Sequence, residues 1–137
     1  MRPLNDVSSR RWFLTLLIAA LAYPIIGIGL AVIGNFASRI AAWLLCGVVL
    51  VLHVAHERIR WGSSPARAAA HAAAAVAAGA LLLAVWVLAR AHVTGAHQSR
   101  LAPLALIVFP VVTGVPALAV GWLLALAMGA RRGQHLR

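Results

Sequence analysis

Acidic residues are almost missing from this chain. Asp6 and Glu57 are the only two in 137 residues. Glycosyl and phosphoryl chemistry normally need more acids than this, so both find little support. No Ser/His/Asp set and no glycine-rich phosphate loop takes their place. Cysteine is as scarce. Cys46 stands alone inside an apolar run, so no intramolecular disulfide can form, and it reads as a buried structural thiol. Lysine is absent altogether, because all twelve basic residues are arginine. Charged residues make up 10% of the chain, against about a quarter in a soluble domain.

What fills the space is apolar. Hydrophobic residues are 64% of the sequence, more than one small core can hide from water. A soluble globular domain, a disordered tail and a disulfide scaffold are therefore excluded. Uncharged stretches run over 12–38, 40–56, 68–89 and 101–130. About 20 apolar residues span the hydrocarbon as a helix, and about 17 suffice at the short limit. The runs are continuous, whereas barrel strands alternate. In lipid each backbone N–H and C=O must be paired within its own segment, so each run is helical. The expectation is an all-α integral membrane four-helix bundle with spans at about 12–34, 39–60, 65–89 and 103–129. It forms a single domain over 1–137, with 1–11 and 130–137 as cytoplasmic tails.

Turn chemistry agrees. Gly34 and Asn35 close the first span, and Gly62-Ser63-Ser64-Pro65 divides the second from the third. Ser64 suits an N-cap, and Pro65 suits a first helical position, where a missing N–H costs nothing. Trp12, Trp43, Trp61, Trp86 and Trp122 lie towards span ends, as an aromatic belt does.

The arginines orient the chain. With the N-terminus inside, Arg2, Arg10, Arg11, Arg58, Arg60, Arg67, Arg131, Arg132 and Arg137 are cytoplasmic, and Arg39, Arg90 and Arg100 lie outside. That bias places both ends in the cytoplasm, facing anionic headgroups. Those headgroups account for the net charge of +10 without nucleic acid, and no basic, aromatic-interleaved module is present. Arginine-only basic content with abundant Ala, Leu and Val points to a bacterial inner membrane. Ser9-Arg10-Arg11-Trp12-Phe13-Leu14 resembles the twin-arginine export motif. The apolar run continues to Ile33 and three more follow, so this segment reads as an uncleaved anchor.

Helix association in lipid depends on close approach rather than hydrophobicity. Residues 68–80 are alanine except for His71, Val76 and Gly79, and Ala75 with Gly79 forms a small-xxx-small pair. The third helix is therefore expected at the centre of the bundle or at a subunit contact. In the fourth span, Pro110, Thr113, Gly114 and Pro116 mark either a helix break presenting carbonyls or a kink whose freed carbonyl Thr113 or a neighbour satisfies.

One polar constellation stands out. At about 100° per residue, Glu57 lies about 40° from His53, Arg60 about 20° and His56 about 60° the other way, so all four share one face. His71 is about 9 Å into the third helix and His53 about 10 Å back along the second, so the two reach a similar depth. Three readings follow. In the first, Glu57 pairs with Arg60 and Arg67, and the histidines bond at the helix interface. In the second, His53 and His71 bind haem b axially or hold a metal, with His56 and Glu57 assisting. In the third, Glu57 serves proton-coupled transport; the chain is similar to small multidrug transporters only in having four short spans, and lacks a glutamate in mid-first-helix. His92 and His97 in the loop at 90–100 sit between arginines and receive no role.

The leading expectation is a non-catalytic, oligomer-forming or accessory membrane subunit that uses the third helix to meet a second copy or another membrane protein. The alternative from another class is a haem- or metal-binding redox subunit.

Overall fold

The computed structural model describes residues 5–95 and 102–134. His97, Arg100, Arg2 and Arg137 lie outside the described residues. Four helices follow one another: α1 (Asn5–Ala31), α2 (Phe36–Arg60), α3 (Pro65–Val93) and α4 (Ala105–Gln134), with a 3-10 turn at Ala102–Leu104 leading into α4. No strand occurs among the described residues. All four helices are long and apolar enough to cross a membrane, with mean hydropathy of 1.9 to 2.4 over their spans. This is a four-helix transmembrane bundle.

The helices outrun the spans expected from hydropathy. α1 begins at Asn5 rather than near 12, and α3 ends at Val93 rather than near 89. Hydropathy marks where a chain leaves hydrocarbon, whereas helical hydrogen bonding continues into the headgroup layer. The turns are as read. Ser64 Oγ accepts from the Arg67 N–H at the start of α3, and Pro65 opens the helix. Asn35 caps α2 by accepting from the Ser38 N–H at 2.7 Å. Gly62 takes φ +60° after α2, a left-handed turn that a side chain would strain.

Short connections make consecutive helices antiparallel. Trp12 of α1 meets His71 of α3, and Gly129 of α4 lies against Arg58 of α2. The start of α1 and the end of α4 thus share the end of the bundle that carries the α2–α3 turn.

α3 is central, packing along α4 and α1 and, at its beginning, against α2. Small residues make this geometry. Ala68, Ala72, Val54 and Ala125 form one core cluster, while Ala75 packs with Ala19 and Tyr23 in another. A Cβ on Gly79 would lie 2.8 Å from the Ala20 carbonyl oxygen and 2.9 Å from Tyr23 Cβ. The Ala75/Gly79 surface is therefore occupied by α1 of the same chain. Large side chains point the other way: Trp43, Ile18, Ile25 and Phe109 are all more than half exposed, as lipid-facing positions are.

α4 runs unbroken through Pro110 and Pro116. The helix break considered for Pro110, Thr113, Gly114 and Pro116 is not formed, and the carbonyl match differs from expectation. Thr113 Oγ1 donates to the Phe109 carbonyl at 2.7 Å. The prolines free the carbonyls four residues before them, at Leu106 and Val112. Thr113 reaches neither, because a helical threonine hydroxyl falls over its own i−4 carbonyl. Gly114 has a packing role instead, since a Cβ there would be 3.2 Å from Ala77 Cβ.

Candidate functional site

The last two turns of α2 and the first two of α3 face each other across the Gly62 turn. His53, Glu57 and His71 project into that interface and are buried, with Glu57 at 0% exposure and His71 at 1%. Glu57 and His53 are one helical turn apart on α2, so both side chains meet α3. The short turn sets α3 so that His71 enters between them. His71 Nδ1 donates to Glu57 Oε1 at 2.7 Å, and His53 Nε2 lies 3.2 Å from the same nitrogen. The second carboxylate oxygen, Oε2, accepts from Ser63 Oγ at 2.9 Å. The two imidazoles meet edge to face, with centroids 4.8 Å apart. Trp12 closes the other side, stacked on His71 at 4.2 Å with planes 16° apart.

The shared depth of His53 and His71 is as the rise per residue implied. Two other expectations fail. Glu57 does not pair with Arg60 or Arg67. Both of those arginines are exposed, and both carboxylate oxygens are taken by His71 and Ser63. Burial between two helices puts Glu57 beyond the reach of a headgroup-seeking guanidinium. His56 also leaves the group. It is exposed and accepts from Trp61 Nε1 at 3.2 Å. It sits about 100° from Glu57 around α2, past the edge of the strip that α3 covers.

Sequence reasoning missed Trp12 and Ser63. From sequence Trp12 reads as a residue of the aromatic belt. The signal available was that the first and third spans run in the same direction, which brings residues near their starts to one level. Ser63 sits beside the capping Ser64, and only the fold of the turn, with the Ser63 N–H donating to the Glu57 carbonyl, shows that its hydroxyl returns to α2. Arg58 reinforces the same turn by donating to the Ser63 carbonyl.

The donor set can be compared with each cofactor considered. His53, Glu57 and His71 each offer one ligand atom, and these atoms lie within 4.8 Å of one another. Metal–ligand bonds of about 2.1 Å in a tetrahedron place ligand atoms roughly 3.4 Å apart. The 3.2 Å between His53 Nε2 and His71 Nδ1 matches that edge. The 2.7 Å contact to Glu57 is a hydrogen-bond length and would open slightly around an ion. Two imidazoles and a carboxylate are a zinc-type donor set, and Ser63 holds the outer carboxylate oxygen, as supporting groups around metal ligands do. Haem does not fit between the histidines. Axial nitrogens on opposite sides of one iron stand about 4 Å apart with bonds of about 2 Å, and a porphyrin must pass between them. Here the rings touch edge to face.

Comparison with protein-family profiles, with curated proteins and with solved structures gives no match.

Proposed function

We propose that this protein is a multi-pass membrane protein that holds a divalent transition-metal cation of the zinc type within its bundle, on His53, Glu57 and His71. One observation carries the reading. Glu57 Oε1 at 2.7 Å and His53 Nε2 at 3.2 Å converge on a single atom, His71 Nδ1, in a buried interface. That nitrogen presents one proton or one lone pair to two neighbours, and an unmatched polar atom in hydrocarbon is costly. A dication satisfies all three atoms at once. A cation held on His71 Nδ1 would need that nitrogen's lone pair, so the neutral ring would carry its proton on Nε2, a buried nitrogen with no hydrogen-bond partner among the described residues.

The accessory-subunit reading draws no support from the Ala75/Gly79 surface, because α1 of the same chain fills it. The metal reading also has better support than transport. Glu57 stands three residues from the end of α2, where a cation can be held near one face of the membrane but a proton cannot be handed across. The arginine bias supports the cytoplasmic side for that face.

The test is metal analysis of the full chain purified in mild detergent, followed by cobalt loading. One ion per chain and tetrahedral cobalt absorption are expected. His71→Ala and His53→Ala should abolish both, while His56→Ala should retain both. A wild-type protein that keeps no ion overturns the reading, and so does a His53→Ala or His71→Ala variant that is helical by circular dichroism and still binds.

A further inference from the structure

At the opposite end of the bundle a groove of about 250 Å³ opens between the last turns of α1 and the first turns of α2. Gly27, Ala31 and Gly34 form one wall and Ala42 with Trp43 the other, and Arg39 stands in its lining. The walls are shallow because four of these positions, Gly27, Ala31, Gly34 and Ala42, carry a methyl or less. Trp43 is 77% exposed and so faces lipid beside the groove.

Among the described residues Arg39 has no counter-charge. The sequence holds two acids. Glu57 is buried on His71 at the other end, and Asp6 lies in the first turn of α1, also at the other end. Among the described residues the one carboxyl group within reach of a basic side chain is that of Glu57, 2.7 Å from His71 Nδ1. Arg90, the other described arginine at this end, lies over the Trp86 ring at 5.3 Å. Arg39 is thus a guanidinium beside an apolar trough, in a layer where the available anions are lipid phosphates.

We propose that this groove is a binding site for an anionic glycerophospholipid, with an acyl chain along the Gly27/Ala31/Gly34 wall and the phosphate on Arg39. The guanidinium's planar donors suit two phosphate oxygens at once. A second copy of the chain is a poor occupant, since it brings no free carboxylate to this level. A soluble anion leaves the apolar walls uncovered. A net-negative headgroup suits the site better than a zwitterionic one, whose ammonium competes with Arg39 for the phosphate.

The experiment is native mass spectrometry of the full chain released from nanodiscs containing equal phosphatidylglycerol and phosphatidylethanolamine. One retained phosphatidylglycerol per chain is expected. Loss of a charge-assisted contact in Arg39→Gln should lower that occupancy roughly tenfold. Ala42→Phe, which fills the groove and keeps the charge, should lower it as well, whereas Arg90→Gln should leave it unchanged. Metal content, which tests the other end, should not move in any of these variants. Equal retention of both lipids overturns the proposal, as does retention unchanged in Arg39→Gln and Ala42→Phe. Displacement of the lipid by inorganic phosphate alone, or a change in oligomer mass in place of lipid loss, also overturns it.

Discussion

The two ends of this bundle solve the same problem in opposite ways. At the α2–α3 turn the helices close tightly, and the chain supplies its own partners: Glu57 to His71, Ser63 to Glu57, Trp12 over His71. Val54, Ala68, Ala69 and Ala72 beside them are fully buried. At the far end Val32, Phe36 and Val93 are each more than three-quarters exposed, and no carboxylate among the described residues pairs with Arg39. The difference teaches how a chain with two acids spends them. One internal charge pairing is available, and it is placed where small residues let helices approach. Elsewhere polarity is left to lipid and water.

Substitutions can break this contrast. The largest effect is expected from Gly79→Leu, where α3 meets α1. A Cβ there collides with the Ala20 carbonyl and Tyr23 Cβ, and backbone cannot yield as a flexible side chain does. A loss of about 3 kcal/mol is expected in thermal unfolding of the detergent-solubilised protein. Gly29→Leu, nearer the open end with nothing within 4 Å of its Cβ, should change stability by less than about 0.5 kcal/mol. Equal losses in the two variants would abolish the asymmetry.

Glu57→Ala should come next. It removes the buried carboxyl group that His71 and Ser63 both contact and leaves a gap between α2 and α3, at a cost of about 3 kcal/mol in the same measurement. Arg39→Gln at the open end should leave detergent stability unchanged. If Glu57→Ala is tolerated as well, the closed end is not held by its polar group. Ser63→Ala sharpens the point, since it removes one hydrogen bond to a carboxylate and should cost about 1.5 kcal/mol. The smallest effect is expected at Thr113→Val, within about 0.5 kcal/mol, because that hydroxyl serves only its own helix. A larger loss would show that α4 depends on Thr113 to tolerate its prolines.

Much of the closed end was legible beforehand. The serine–proline turn, the antiparallel pairing of α2 and α3 and the common depth of His53 and His71 all follow from rise per residue and capping chemistry. The partner of Glu57 was not legible. Helix geometry alone made Arg60 the neighbour at i+3, and the competing contact comes from another helix. His56 was placed with the site because a 60° offset still counts as one face of an isolated helix, whereas α3 covers a narrower strip. The alanine-rich α3 carried its own ambiguity, since small residues announce close packing without naming the helix that packs.

Composition and periodicity, taken alone, determined that four apolar helices cross a bilayer and where they turn. Those properties depend on the free energy of each segment in lipid and on local backbone bonding, which neighbours in sequence specify. Tertiary structure decided that α1 fills the Ala75/Gly79 surface, that Glu57 answers to His71 and Ser63, and that Arg39 is left facing the membrane. These contacts join residues far apart in the chain, and the choice among them rests on which side chains can approach closely enough to exclude lipid.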